Sequence, residues 1–349
     1  MIADFERLVA AVQANCHVSD ARFARDMGLC TYLLEMRELY RWEQGAAPTA
    51  VLPQAAVGAW LSGREAMWGA IEEAELQGLP LDGTTVDPFD VDTMNRALVP
   101  HGLVYGAGVG RFGKPQFFLA ALDREEQRDG VRILVARREH ARDLGAAAAA
   151  CRGDTIYLRL ESLRRLLWEK AETWAVKRPE GPLQVALDAY GFPDGAEAAL
   201  ERMTAVEAET LTLHELGEVR AGRLLGPQWE SMLTSLTDRR AELLARAARD
   251  HLADCLVTLP TLLSRNAWPS LHFWFANLDG MRQEIAPAMT AAYAAWRNGD
   301  GGRAIGDAVR AGRAHWQRVC EDILALHRDR GVEAQKAIAA LSASAATRL

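Results

Sequence analysis

Leu103-Val104-Tyr105-Gly106-Ala107-Gly108-Val109-Gly110-Arg111-Phe112-Gly113-Lys114-Pro115-Gln116-Phe117-Phe118-Leu119 is the stretch that decides the fold class. Short runs of aliphatic and aromatic residues flank a glycine-rich turn, the pattern of an antiparallel hairpin. Two further strand candidates come later in the chain, Val131 to Ala136 and Thr155-Ile156-Tyr157-Leu158. A helix is expected between them through the alanine run at 146–150. Residues 101–160 therefore read as a small mixed sheet, which separates this chain from an all-helical one.

Within the turn, Gly108-Val109-Gly110-Arg111-Phe112-Gly113 matches G-x-G-x-x-G, and Lys114 extends it towards a P-loop. Phosphate cradling needs a strand before the glycines and a helix after them. The residues after the glycines are strand-like instead, and Pro115 stands where the magnesium-binding Ser or Thr belongs. Positive-φ positions in a hairpin turn explain the glycines more simply. Asp87-Pro88-Phe89-Asp90-Val91-Asp92 invites a calcium loop, but the sixth position from Asp90 is Asn95 rather than Gly. Helix N-capping accounts for these aspartates.

On either side of the sheet the chain reads as helix. In residues 1–100, Asp20 is placed to cap a helix running to about Gln44, and Ser62 with Glu65 fits the capping-box spacing for another to about Gln77. Residues 78–88 read as loop. From 161 onward, helices are expected at about 161–176, 197–222, 228–248, 249–264, 271–297 and 302–328, bent or separated by Pro260, Pro269 and Pro287. The small, polar tail from 339 is expected to fray. The fold class is α+β and predominantly helical: a helical N-terminal part at 1–100, a small mixed sheet at 101–160 and a helical bundle at 161–349.

The bulk properties narrow the function classes. Of 349 residues, 49% are apolar and 25% charged, which suffices for a sizeable core without disulfides. The net charge of −7 argues against general nucleic-acid binding, which rests on clustered Lys and Arg. The five scattered cysteines contain no Cys-x-x-Cys pair and read as reduced thiols. The start, Met1-Ile2-Ala3-Asp4-Phe5-Glu6-Arg7, has no signal-peptide pattern, and no apolar run approaches the ~20 residues of a membrane span. A cytoplasmic protein is expected, with a small molecule or a protein as partner, no nucleic acid and no membrane. Its richness in Trp and Ala suits a homodimer.

The best chemical candidate is His214-Glu215-Leu216-Gly217-Glu218. At ~100° per residue, Glu207, His214 and Glu218 share one helix stripe. Val206, Leu213, Leu216 and Val219 distribute apolar groups around the rest, as in a buried helix. A His and two carboxylates in a dry setting need partners, and a metal ion is one solution. His and Glu four apart lie one above the other and can chelate.

The segment resembles the His-Glu-x-x-His helix of zinc metallopeptidases, preceded, as there, by a strand (Asp154 to Leu158) and a helix. The resemblance implies His214 as a ligand, Glu215 as the general base and Glu218 as a substitute for the second His. A carboxylate-rich set shifts the preference from Zn towards Mn or Fe. Asp254, which interrupts the apolar run His251-Leu252-Ala253-Asp254-Cys255-Leu256-Val257, is a candidate further ligand. So is His272, within Leu271-His272-Phe273-Trp274-Phe275. Glu35 reads as an arginine-paired acid, and no Glu-x-x-His pair supports a diiron bundle.

Cys30-Thr31-Tyr32-Leu33-Leu34-Glu35-Met36-Arg37-Glu38, Lys114-Pro115-Gln116-Phe117-Phe118-Leu119-Ala120 and Leu213-His214-Glu215-Leu216-Gly217-Glu218 together resemble a bacterial family of conserved proteins of unknown function, over nearly the full chain. That resemblance implies no activity or cofactor. Two functions therefore stand open. One is a metal-binding protein, with a divalent ion (Zn, Mn or Fe) on His214, Glu218, Asp254, His272 or Glu207 and hydrolase chemistry through Glu215. The other is a non-catalytic interaction or scaffold protein with a buried polar network at the same residues.

Overall fold

The structure, a computed structural model, describes residues 4–110 and 113–349, apart from the side chain of Val332. It is the predominantly helical α+β fold expected, in two compact units, Met1–Glu172 and Thr173–Leu349.

The first unit is built on α1 (Phe5–Phe23). Leu8, Val12 and Cys16, spaced by four, are all fully buried on one face. Next along the chain are α2 (Leu29–Glu43) and α3 (Gln54–Ile71), then a two-stranded ribbon of β1 (Leu79–Leu81) and β2 (Thr84–Val86), and α4 (Val91–Leu98). Asp90 caps α4, accepting from Thr93 N at 3.0 Å, as the capping reading requires. The sheet comprises β3 (Leu103–Val109), β4 (Pro115–Arg128), β5 (Val131–Arg142), β6 (Ala149–Arg152) and β7 (Thr155–Arg159), in the order β3-β4-β5-β7-β6. It is mixed: β5 and β7 run parallel and the other neighbours antiparallel. Against β4 and β5 lies α1, so the N-terminal helix and the sheet share one core with Phe117, Leu119, Leu134 and Tyr105. The boundary at Glu172 falls within α5 (Leu160–Lys177), most of which belongs to this unit.

The glycine-rich stretch is the turn of the β3–β4 hairpin, in register from Leu103↔Ala121 to Val109↔Pro115. Arg111 and Phe112 lie outside the described residues. Among the described residues the turn is followed by β4, beginning at Pro115, and not by a phosphate-cradling helix. Gly106 is required by packing: a Cβ there would lie 2.1 Å from the Phe118 ring. Lys114 is a buried strut, donating to Asp20 Oδ1 at 2.7 Å and to Leu144 O at 3.0 Å.

A buried ion cluster ties β5 to β7 and α5. Glu139, 3% exposed, accepts from Arg159 at 2.9 Å and Ser162 at 2.6 Å, with Arg142 3.7 Å away. Its backbone N–H donates to Glu161 Oε2 at 2.7 Å.

The second unit is wholly helical. It contains α6 (Pro182–Tyr190), the 30-residue α7 (Ala196–Leu225), α8 (Gln228–Ser235) and α9 (Arg239–Ala253). A π-helical segment, Asp254–Thr258, continues α9 into α10 (Leu259–Ser264). Then come α11 (Trp268–Ala276), α12 (Gly280–Ile285), α13 (Pro287–Arg297), α14 (Arg303–Arg330) and α15 (Gln335–Leu341). The core gathers Trp229, Leu244, Leu252, Leu271, Met289, Ile305, Trp316 and Ile338.

Several expectations are corrected. Asp20 caps no helix; it sits inside α1, also accepting from Leu144 N at 2.8 Å, and helices α1 and α2 part at Gly28. Ser62 is likewise internal to α3, where its hydroxyl returns to Gly58 O at 3.2 Å. Residues 78–88 hold the β1–β2 ribbon, turning at Asp82 and Gly83 with φ of 48° and 77°. The alanine run at 146–150 forms loop and then β6, not helix, because pairing with β7 outweighs alanine's helix propensity. The helix expected at 271–297 is three, divided near Gly280, at φ 51°, and Pro287. The tail does not fray: Leu349 N donates to Ile285 O at 2.9 Å, and Ala288 N to Leu349 O at 2.8 Å. Among the described residues no helix is long and apolar enough to cross a membrane.

Candidate metal centre

Helix α7 carries the site because it lies unusually close to the end of α9. A Cβ at Gly217 would fall 2.5 Å from the carbonyl oxygen of Ala253 and 2.9 Å from its carbon. Only glycine permits this backbone approach, and the residue after Ala253 is Asp254. The contact sets Asp254 beside His214, one turn back along α7. Gly217→Ala is expected to lower stability by about 1–3 kcal/mol through overpacking against backbone that has no rotamer to yield. Urea unfolding of the full chain measures it, and an unchanged midpoint would remove this account of the crossing.

Asp254 begins the π-helical segment, where Leu259 N donates to Asp254 O, five residues back. Pro260 supplies the local cause: it has no N–H for the preceding turn, and its ring would crowd the carbonyl four residues earlier. The wider turn relieves both. π segments inside helices are rare and recur at functional sites.

Asp254 is fully buried and saturated with donors. His214 Nδ1–H donates to Oδ1 at 2.8 Å, while Trp274 Nε1 and Arg282 Nη2 donate to Oδ2 at 2.9 and 2.6 Å. This fixes the ring and turns Nε2 to the other side, where Glu218 Oε1 is 3.5 Å away. Asp250, one turn before Asp254 on α9, completes a group in which the ligand atoms of His214, Glu218 and Asp250 all lie within 4.8 Å of one another. A carboxylate behind a histidine whose far nitrogen faces a further acid is the outer-shell pattern of metal-binding imidazoles. His214 and Glu218 keep 23% and 20% of their side-chain surface exposed, so an ion can reach them from solvent.

Arg249 enters the same space. Its Nη2 is 2.9 Å from Glu218 Oε1 and 3.7 Å from Asp250 Oδ1, and its Nη1 is 3.3 Å from Glu230.

Each of these charges shifts its neighbours. Burial alone would push the His214 imidazole down, but Asp254 and Glu218 hold it well above its ordinary value. Burial opposes ionisation of Glu218 too, yet His214 and Arg249 bring it down to about 2. Asp254 is held well below its usual range, since His214, Arg282 and Trp274 outweigh its desolvation. Glu215, buried beside these groups, goes the other way: desolvation and the Glu218 charge push it up to about 7.

The remaining candidates are engaged elsewhere. His272 stacks on Trp296 with centroids 4.3 Å apart, and its Nδ1 meets Tyr293 Oη at 3.0 Å. Glu207 shares the α7 stripe but is hydrogen-bonded by Tyr190, its burial raising its pKa. His251 stacks on Trp316 and donates from Nε2 to Arg282 O at 2.8 Å. Glu35 pairs with Arg165 at 2.9 Å. Sequence reasoning missed Asp250 and Arg249. The signal was present, since Asp250 and Asp254 are four apart on one helix and so share a face.

Two family models cover almost the whole chain. The family of unknown function DUF6866 matches through its N-terminal domain over residues 7–159 and its C-terminal domain over residues 164–345. The chain belongs to DUF6866. The candidate centre lies entirely within the stretch matched by the DUF6866 C-terminal domain. No curated protein and no solved structure matches the chain.

Proposed function

We propose that the protein binds a divalent metal ion through His214 Nε2, Glu218 and Asp250, and that the centre serves hydrolysis with Glu215 as proton acceptor. One observation carries this reading: Asp254 holds Nδ1 of His214 while Nε2 faces Glu218, and ligand atoms of His214, Glu218 and Asp250 lie within 4.8 Å of one another. One imidazole and two carboxylates suit Mn or Fe more than an all-nitrogen site would, and Zn remains within range. A bound ion supplies a Lewis acid that polarises a water or substrate oxygen. Glu215, pushed up to about 7 by burial and Glu218, is an acid poised to take and return a proton near neutral pH. Asp254 orients; Arg282 and Trp274 hold Asp254.

A second reading has its own observation. Glu218 pairs with Arg249 and Asp254 with Arg282, so the protein's own cations already balance these acids. That favours a closed polar network in an interaction or scaffold protein.

Elemental analysis and calorimetric titration of chelator-stripped full-length protein with Mn²⁺ and Zn²⁺ separate the two. The metal reading expects one ion per chain, lost in His214→Ala and in Asp250→Asn while the fold persists by circular dichroism. Absence of stoichiometric binding by the wild type would leave the network reading standing alone.

A further inference from the structure

The position of Arg249 carries a consequence for how the centre works. A single nitrogen, Nη2, sits 2.9 Å from Glu218 Oε1 and 3.7 Å from Asp250 Oδ1, where a cation serving both acids would sit. That same Glu218 oxygen faces His214 Nε2 at 3.5 Å. An ion bound by the three ligands therefore competes with the guanidinium for one oxygen. The inward seat is imperfect, because Arg249 Nε is buried and has no hydrogen-bond acceptor among the described residues. An outward anchor exists: Nη1 already reaches Glu230 of α8 at 3.3 Å, and that carboxylate is 69% exposed.

We propose that Arg249 is a displaceable internal cation of this centre, balancing Glu218 and Asp250 until a metal ion takes their oxygens and then swinging out onto Glu230. The proposal rests on the metal-binding reading. It makes Arg249 a regulator of affinity: its departure is part of every binding event, so the ion must outcompete an ion pair that the fold supplies. Removing the guanidinium deletes that competitor. Removing Glu230 deletes the outward anchor and leaves Arg249 with only the inward acids.

Chelator-stripped full-length protein is titrated with Mn²⁺, and separately with Zn²⁺, by calorimetry. Arg249→Met is expected to bind about tenfold more tightly than the wild type, the worth of one partly buried pair. Glu230→Gln is expected to bind roughly twofold to fivefold more weakly. If the wild type binds and Arg249→Met binds equally or less well, the proposal is overturned and the metal reading survives. If neither the wild type nor Arg249→Met binds, both fall together. Should Arg249→Met fail to give a cooperative melt, Glu230→Gln decides: weaker binding supports the displacement, and unchanged or tighter binding overturns it.

Discussion

Asp254→Ala lowers the stability of the second unit by about 3–5 kcal/mol, the largest single effect expected near the centre. Three donors converge on this fully buried carboxylate, and truncation leaves all three without an acceptor. Two of them, His214 and Arg282, carry charge. The loss therefore exceeds the value of any one hydrogen bond, because two cationic side chains packed on the buried carboxylate lose their counter-charge together. Urea unfolding monitored by tryptophan fluorescence is the direct measurement, since Trp274 loses its Nε1 partner in the same step. Asp254→Asn keeps an acceptor and should lose less. In the proposed centre, Asp254→Ala also frees the His214 ring and weakens metal capture by about 10–100-fold. A loss below about 1 kcal/mol would show that the contacts around Asp254 are incidental to the fold.

Glu139→Gln is the corresponding change in the first unit, with an expected loss of about 3–5 kcal/mol at neutral pH. Arg159 and Arg142 both face this buried carboxylate. Burial alone would raise its pKa, but the two guanidinium groups bring it down to about 2 from an ordinary 4.5. Linkage sets the sign. A carboxylate held low in the folded state contributes its full stability above 4.5, and that contribution is lost as pH falls through about 2. The gap between wild type and Glu139→Gln should therefore be widest at neutral pH and shrink across that interval. Unfolding curves at pH 7, 4 and 2.5 test this. Glu125→Gln, which breaks an exposed pair with Arg132, serves as the control and should change stability by less than about 1 kcal/mol.

Local patterns were legible wherever a residue's partners are near in sequence. The glycine-rich stretch announced its hairpin because both strands adjoin it, and α7 announced itself by periodicity. Asp254 stood out as an acid within an apolar run, and it is indeed fully buried. Asp250 did not stand out. It follows Arg249 just outside the apolar run, and although it shares a helix face with Asp254, the approach of α7 at Gly217 is what gives that face a role. His272 was misleading for the converse reason: its stacking partner Trp296 is 24 positions away in the chain. Nothing in a window of ten residues could reveal that its ring was already committed. The alanine run at 146–150 failed for a related reason, since its strand exists only through pairing with β7.

The π-helical segment also bears on how the rod from Arg239 to Ser264 is phased. One residue beyond an α-helical turn rotates everything downstream by about 100° relative to an uninterrupted helix. The segment thus acts as a fixed crank. Asp250 and Asp254 point one way, towards α7, while Leu259 and Leu262 beyond the offset turn into the hydrophobic core. Pro260 locks the throw of the crank in place.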